Sequence, residues 1–441
     1  TKRGKQRKSG RVRSRRAREK RSSGQMSEPF SKELVLSAYS QGIFPMGHDD
    51  GLIRWYSPDP RCIFDFDSFH KQLQNHLGTK NISLTSLGRT ALYEIVKIII
   101  KKNNKRKFFI APYTIPAVIH AIKYAGGEVV YIDLDKSTGL ISEEKLEKKI
   151  DNNSAGVIIT HLYSTSNHIE KFLSRFKNKI TIIEDAAINF GAKSNNKYLG
   201  TLADYGFFSF NVVKNLNTLN GGAIYIKDNR LFDEYVSEKK YKKFPITNTI
   251  NLLLTILILK FFFNNIVYQF FHYFLVLVYK KKINFILKKI YPILYHNYER
   301  KIPESYSYDF NWIMNDVGVY NLKKVKTDYL DRRDKAMMYS KLISDQVATK
   351  FDCFSEDNAL LEYTIVLKNT DNQKAHAKLM EEGYDIRHTW YINNHLIDGN
   401  DDKTNFKDTY FVETKIFCLP VHKNISKKDI QKISNIINSF I

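Results

Sequence analysis

Asp185 and Lys214 lie 29 residues apart, each inside a strongly patterned local segment. The first sits in Ile182-Ile183-Glu184-Asp185-Ala186-Ala187; the second follows Phe207-Phe208-Ser209-Phe210-Asn211-Val212-Val213 and is succeeded by Asn215 and, a little later, Gly221-Gly222. A lysine amine can hold an aldehyde cofactor as a Schiff base. A carboxylate beside a ring nitrogen keeps that nitrogen protonated, so that the ring accepts electrons from a carbanion. A serine just ahead of the lysine can reach a phosphate. Together these are the requirements of pyridoxal 5′-phosphate (PLP) chemistry. A lone Asp and a lone Lys are common, so the elements that carry them decide the matter.

Those elements read as alternating strands and helices. Helices are expected at Gly88–Lys101, Pro116–Tyr124, Ser142–Ile150 and His168–Phe176. Strands are expected at Lys107–Ala111, Glu128–Asp133, Ala155–His161, Ile180–Glu184, Tyr205–Phe210 and Gly222–Ile226. Short β-branched runs between helical patterns indicate βαβ units and a mostly parallel sheet, an α/β fold. Asp185 and Lys214 then both follow strand carboxyl ends, where open α/β sheets bind ligands.

The order of motifs resembles the DegT/DnrJ/EryC1/StrS family of sugar aminotransferases, among the fold-type-I PLP enzymes. The likeness runs from about residue 83 to 441. It begins at Ser86-Leu87-Gly88-Arg89-Thr90-Ala91-Leu92 and continues through Ala111-Pro112-Tyr113-Thr114 and Gly126-Gly127-Glu128 to the Asp185 and Lys214 segments. It goes on to Tyr308-Asp309-Phe310-Asn311-Trp312, Asp331-Arg332-Arg333 and Leu419-Pro420-Val421-His422. The resemblance implies a PLP-dependent transferase fold with a smaller C-terminal α/β domain. It also implies Lys214 as the catalytic lysine, and Asp185, Ser209, Gly88, Arg89, Thr90, Tyr113, Asn215 and Asn311 as cofactor-binding residues. Asn311 would reach the partner's cofactor phosphate in a homodimer. Backbone N–H groups at the Gly88 helix start suit a phosphate. Some relatives carry His at the lysine position and act as dehydratases, so Lys214 implies transamination: glutamate as amino donor, a keto sugar, nucleotide-linked, as acceptor, for a surface glycan. The chain departs from the family pattern at Ile115, Ile188 and Ile313. Plainer roles stand beside these: Asp185 as a helix cap, Ser209 as an ordinary strand residue, Arg89 and Thr90 as helix-start residues, Asn311 as a turn residue. His161 and Arg387 read as packing or surface residues, and His388 as a substrate-pocket candidate.

Composition bounds the rest. With 441 residues, 43% hydrophobic and 26% charged, the chain is globular and long enough for more than one domain. Its net charge of +23 is uneven: residues 1–25 hold twelve Lys/Arg and one Glu, giving +11, and the remainder carries +12. That arm is expected to be disordered. A nucleic-acid partner is not expected. Cys62, Cys353 and Cys418 form no CxxC pair and no metal spacing, so a reduced, cytoplasmic setting without a metal is the expectation. No secretory leader is expected either.

Two segments fall outside the aminotransferase pattern. Leu34 to Pro45 and Trp55 to Arg61 resemble the amino-terminal part of leucyl/phenylalanyl-tRNA–protein transferase. Ile250 to Tyr279 contains a single charged residue, Lys260, and is followed by Lys280-Lys281-Lys282 and a second apolar stretch, Ile283 to Tyr295. A single span would separate two halves of one fold, so an apolar helical insertion touching the inner membrane face through 250–295 is expected instead. The expected domains are the arm 1–25, a module at 26–80, a PLP-binding domain at 81–240, the insertion at 241–300 and the C-terminal remainder at 301–441. Two other readings remain: an aminoacyl-tRNA–protein transferase or tRNA-binding fusion, and a non-catalytic PLP-binding scaffold at the membrane.

Overall fold

A computed structural model describes residues 35–37, 43–47, 53–56, 68–162, 169–262, 301–351, 353–355, 357–384, 386, 392–394 and 404–441, with isolated positions 31, 267, 270, 273, 274, 277, 278 and 281. The basic arm and His388 lie outside the described residues. The chain divides into two units, Thr1–Phe64 and Asp65–Ile441. In the first, β1 (Phe44–Gly47) pairs antiparallel with β2 (Ile53–Tyr56), setting Pro45 opposite Trp55.

The second unit begins earlier than the sequence suggested. Helix α1 (Ser68–Leu77) was expected to belong to the amino-terminal module. It instead buries Phe69, Leu73 and Leu77 against Phe190, Phe208 and Phe210 of the main body. The boundary therefore falls at Phe64/Asp65.

The main sheet is built from β3 (Ile82–Thr85), β4 (Lys107–Ile110), β6 (Glu128–Tyr131), β7 (Ser154–Thr160), β8 (Thr181–Asp185), β11 (Tyr205–Ser209) and β12 (Gly222–Ile226). Its order is β3-β12-β11-β8-β7-β4-β6. The run β11-β8-β7-β4-β6 is parallel, while β12 pairs antiparallel with both β11 and β3. Near-continuous burial along β7 explains its apolar sequence, as a parallel strand covered on both faces requires. Helix α2 (Gly88–Asn103) lays Ala91, Leu92, Ile95, Val96 and Ile99 on one sheet face, the i, i+3, i+4 stripe of an amphipathic helix. Pro116 opens helix α3 (Pro116–Tyr124) at its first turn, where no N–H is missed. Helices α4 (Glu143–Glu147) and α5 (Ile169–Phe176) belong to the other face, where Leu146, Phe172 and Phe176 are buried. Between β4 and β6 lies β5 (Tyr113–Thr114); β9 (Lys193–Ser194) and β10 (Lys197–Tyr198) form a small hairpin.

After β12 come α6 (Asn229–Glu238) and the apolar α7 (Ile246–Phe262), then α8 (Trp312–Leu322) and α9 (Val325–Leu342). The carboxyl-terminal lobe is an antiparallel sheet, β13 (Ala348–Lys350), β14 (Glu362–Leu367) and β16 (Ile416–Pro420), in the order β13-β14-β16. Helices α10 (Asn372–Glu381) and α12 (Lys427–Asn438) pack on it around Tyr339, Tyr363, Ile365, Leu379, Phe417 and Ile433. β15 (Ile392–Asn393) pairs with β5, and α11 (Lys407–Lys415) precedes β16. The expected α/β architecture and its smaller C-terminal lobe are present; of the expected apolar insertion, α7 and a few isolated positions beyond it are described, and the rest of 263–300 lies outside the described residues.

Gly206 and Gly200 mark the tightest packing. A Cβ on Gly206 would collide with the Gly200 carbonyl, which is backbone and cannot rotate away. Gly206→Ala is expected to lower folding stability by at least about 1–3 kcal/mol, the usual cost of overpacking. A chemical-denaturation midpoint equal to that of the parent would show that the loop at Gly200 yields freely.

Candidate active site

Strand alternation divides the work of the Glu184-Asp185 pair, since neighbours on a strand point to opposite faces. Glu184 is wholly buried. Its carboxylate accepts the backbone N–H groups of Gly200 (2.8 Å), Leu202 (2.7 Å) and Ala203 (2.7 Å), and its Oε2 lies 3.2 Å from His161 Nε2. His161 in turn receives the Asn189 amide on its carbonyl, at 2.9 Å. This fixes the loop after β10 and the end of β7 to β8. His161 is thereby held in the interior between β7 and β8.

Asp185 ends β8 and is buried. Its Oδ1 accepts the Ala187 N–H at 3.0 Å, and the Thr160 hydroxyl lies 3.5 Å from Oδ2. No helix starts here, so Asp185 closes a two-residue side-chain turn rather than capping a helix. Burial pushes its carboxyl above the usual range, opposed by the Ala187 N–H and by the charges of Lys214 and His161. Lys214 sits in the turn after β11, its N–H donated to Asn211 O at 2.9 Å. Burial holds its amine below the ordinary lysine value, opposed by Asp185 and then by Glu362. The residue as a whole is half-buried.

Glu362, the first residue of β14, went unremarked in the sequence. It brings a second carboxylate to Lys214 from the other lobe, and it also acts on Arg332 and Cys418. Arg332 donates to the Leu360 and Leu361 carbonyls at 3.4 and 2.7 Å, which places the start of β14. Nothing local marks Glu362; only its arrival beside Lys214 does.

The Gly88 helix start meets the ends of β11 and β12. A Cβ on Gly88 would lie 2.8 Å from Ser209 Cβ, and one on Gly222 would lie 2.5 Å from the Gly88 nitrogen. These are close backbone approaches that only glycine permits. They bring Ser209, the Gly88 N-terminal turn and the buried Thr90 hydroxyl together. Ser86 Oγ lies 3.5 Å from Thr90 Oγ1. Arg89 is exposed, its guanidinium 6.0 Å from the Tyr306 ring centroid.

Three expected cofactor residues make contacts of their own within the chain. Tyr113 packs among Ala111, Leu134, Leu162, Val412 and Ile416. Asn311 caps α8: its Oδ1 accepts the Ile313 N–H at 2.8 Å and its Nδ2 donates to Thr249 Oγ1 at 3.0 Å. That is the turn role weighed against a phosphate role. Asn215 donates to the Ile188 and Ala359 carbonyls at 3.3 and 3.1 Å, while its buried Oδ1 has no hydrogen-bond partner among the described residues.

The donor set fits PLP: a buried carboxylate and an amine that act on each other electrostatically, and a hydroxyl-bearing helix start packed against Ser209, five residues before the lysine. Among the described residues no His/Cys/Asp/Glu group could hold a metal ion.

A seven-stranded, mostly parallel sheet with this edge is the fold-type-I PLP-dependent transferase fold. A DegT/DnrJ/EryC1/StrS aminotransferase from Brucella abortus has the same fold, with a TM-score of 0.61 at 18% identity, covering 92% of this chain and 94% of that one. Residues 65–241 match the DegT/DnrJ/EryC1/StrS aminotransferase family, so the family resemblance is shown over that segment. GDP-perosamine synthase of Escherichia coli O157:H7 is 29% identical over 180 residues, 41% of this chain and 48% of that protein. By sequence the chain thus spans about half the length of such relatives. Residues 28–59 match the leucyl/phenylalanyl-tRNA protein transferase N-terminal domain. The corresponding enzyme of Salinibacter ruber is 38% identical over 64 residues, 28% of its length.

Two outcomes follow from this geometry. Because burial disfavours the ammonium form, Lys214 should lose its proton at lower pH than the exposed lysines, whose ordinary value is about 10.4. Reductive methylation of the cofactor-free protein across a pH series, read by peptide mass spectrometry, should show Lys214 reacting earlier. A profile superimposed on the exposed lysines would mean its amine is solvated. Glu184→Ala should cost about 3 kcal/mol or more, because three buried N–H donors lose their acceptor at about 1–3 kcal/mol each. An unchanged unfolding midpoint would show that water takes the carboxylate's place.

Proposed function

We propose that this chain is a PLP-dependent aminotransferase that takes an amino group from glutamate and passes it to a keto group of a nucleotide-linked sugar, for a surface glycan. The observation that carries the reading is the pairing of buried Asp185 with a Lys214 amine held toward neutrality at the carboxyl edge of the sheet. When bound, PLP supplies an electron sink for the carbon that loses its proton. The Lys214 amine, whose proton affinity burial lowers, is the base that takes that proton and the acid that returns it. The Asp185 carboxyl, raised by burial, is matched to a buried partner bearing a proton and a positive charge. Ser209, Thr90 and the N–H groups at Gly88 hold the phosphate. Glu362 opposes the desolvation of Lys214 and helps it regain a proton between half-reactions.

A homodimer and a cytoplasmic location belong to the same reading. Asn311 is bonded within its own chain through Oδ1 and one N–H of Nδ2; the second N–H of that amide is the group that would serve a partner's site in this reading. His388 stands in this reading as a substrate-side residue. Association with the inner membrane face is an independent proposal and rests on the apolar helix alone. An aminoacyl-tRNA–protein transferase reading rests on residues 28–59 and on a match to 28% of one such enzyme's length, which supports an appended module rather than the main chemistry.

The visible spectrum with PLP tests the proposal. A band near 420 nm, about where a lysine-bound cofactor absorbs, should shift to shorter wavelength with glutamate and be absent in Lys214→Ala. Asp185→Asn should retain the band and lose amino transfer by about 10²-fold or more. A band in the parent that ignores glutamate would point to a different donor or to a cofactor-binding scaffold. The absence of any band would overturn the reading.

A further inference from the structure

Helix α7 carries a surface that water should not face. Ile250, Leu253, Leu254, Leu257, Ile258 and Phe261 are 44–62% exposed, and Ile246 is 76% exposed. At about 100° per residue these seven positions fall within roughly 140° of arc. The opposite side is the docked one: Leu252 is buried with Leu219, Ile313 and Met314, and Ile256 packs beside it. Asn248, Asn251 and Thr255 occupy the flank between the two faces. A helix of a water-soluble surface places polar residues opposite its core stripe; here the outward stripe is apolar. The same pattern recurs further on, where Phe270, Tyr273, Phe274 and Leu277, spaced i, i+3, i+4 and i+7, are exposed as well.

The charges around this stripe indicate what covers it. From Lys240 to Tyr298 the sequence contains nine lysines and no Asp or Glu. Lys240, Lys242 and Lys243 precede the helix and are exposed, as are Lys260 and Lys281. A two-fold contact with a second copy would set this cationic rim against itself, like against like. An anionic lipid surface offers the complementary charge together with an apolar layer. Among the described residues no helix is long and apolar enough to cross a membrane. The 17 residues of α7 extend about 25 Å, short of a hydrocarbon core of about 30 Å.

We propose that α7 is a monotopic membrane anchor. It lies in the plane of an anionic bilayer with Ile250, Leu253, Leu257 and Phe261 inserted at the headgroup boundary and the flanking lysines on lipid phosphates. This goes beyond the amino-transfer chemistry and does not depend on it.

Flotation of the full chain with phosphatidylcholine vesicles, with and without phosphatidylglycerol, tests the proposal alongside sedimentation velocity without lipid. The chain should float with the phosphatidylglycerol vesicles, and less so as salt is raised. Leu253→Glu/Leu257→Glu should reduce the bound fraction at least about tenfold, since each lost leucine insertion is worth that order. Both positions are exposed, so the variant should keep the parent's circular dichroism and unfolding midpoint. A Lys240→Gln/Lys242→Gln/Lys243→Gln variant should weaken binding only to the anionic vesicles. The proposal is overturned if the parent stays with the unbound fraction. It is equally overturned if the double Glu variant binds vesicles like the parent but splits a dimer into monomers, which would assign the stripe to a second copy of the chain.

Discussion

The arrangement rests on a buried carboxylate, Glu184. Placing a charge in a protein interior is expensive unless its lone pairs are met, and removing a partner from such a group costs more than the group itself contributes. Three backbone N–H groups from Gly200, Leu202 and Ala203 meet it, and His161 lies beside it. The return from β10 to β11 and the end of β7 are thereby fixed to one strand position. Asp185, the next residue, inherits a defined orientation toward the opposite face. A structural acid and a chemical acid share one dipeptide, and the pleat of the strand keeps their duties apart.

The second constraint is proximity of backbone. Gly88 against Ser209, Gly222 against Gly88 and Gly206 against Gly200 each leave no space for a Cβ. These contacts draw the helix start to the carboxyl edge of β11, against Ser209. Fold and site therefore share the same glycines. Their effect is geometric: they bring hydroxyls and N–H groups together without supplying any themselves.

Much of this was legible along the chain. The βα alternation from Gly88 to Ile226 follows from short apolar strands and helical stripes, and the bounds of α3 and β12 coincide with the expected ones. Asp185 and Lys214 stood out because their neighbours were strands. Other parts were silent for physical reasons. β3 carries Ser83 and Thr85, and its antiparallel place at the sheet edge leaves a weak pattern. α1 reads like part of the preceding module until Phe69 is seen stacked on Phe310, with ring centroids 5.8 Å apart. Glu362 lies far from Lys214 in sequence, and only the return of the second lobe unites them. Asn311 kept both its readings because a cap and a phosphate ligand require the same side chain; within the chain it makes the cap and a bond to Thr249.

Asn215 has a mechanical consequence. One amide nitrogen spans the carbonyls of Ile188, downstream of Asp185, and Ala359, upstream of Glu362. The turn that carries the lysine is thus stapled at a single point to both approaches of its carboxylate neighbours. Relative motion of the two lobes would load that staple first. Because both bonds leave one nitrogen, loss of the Asn215 amide would release the lysine turn from both carboxylate-bearing segments at once.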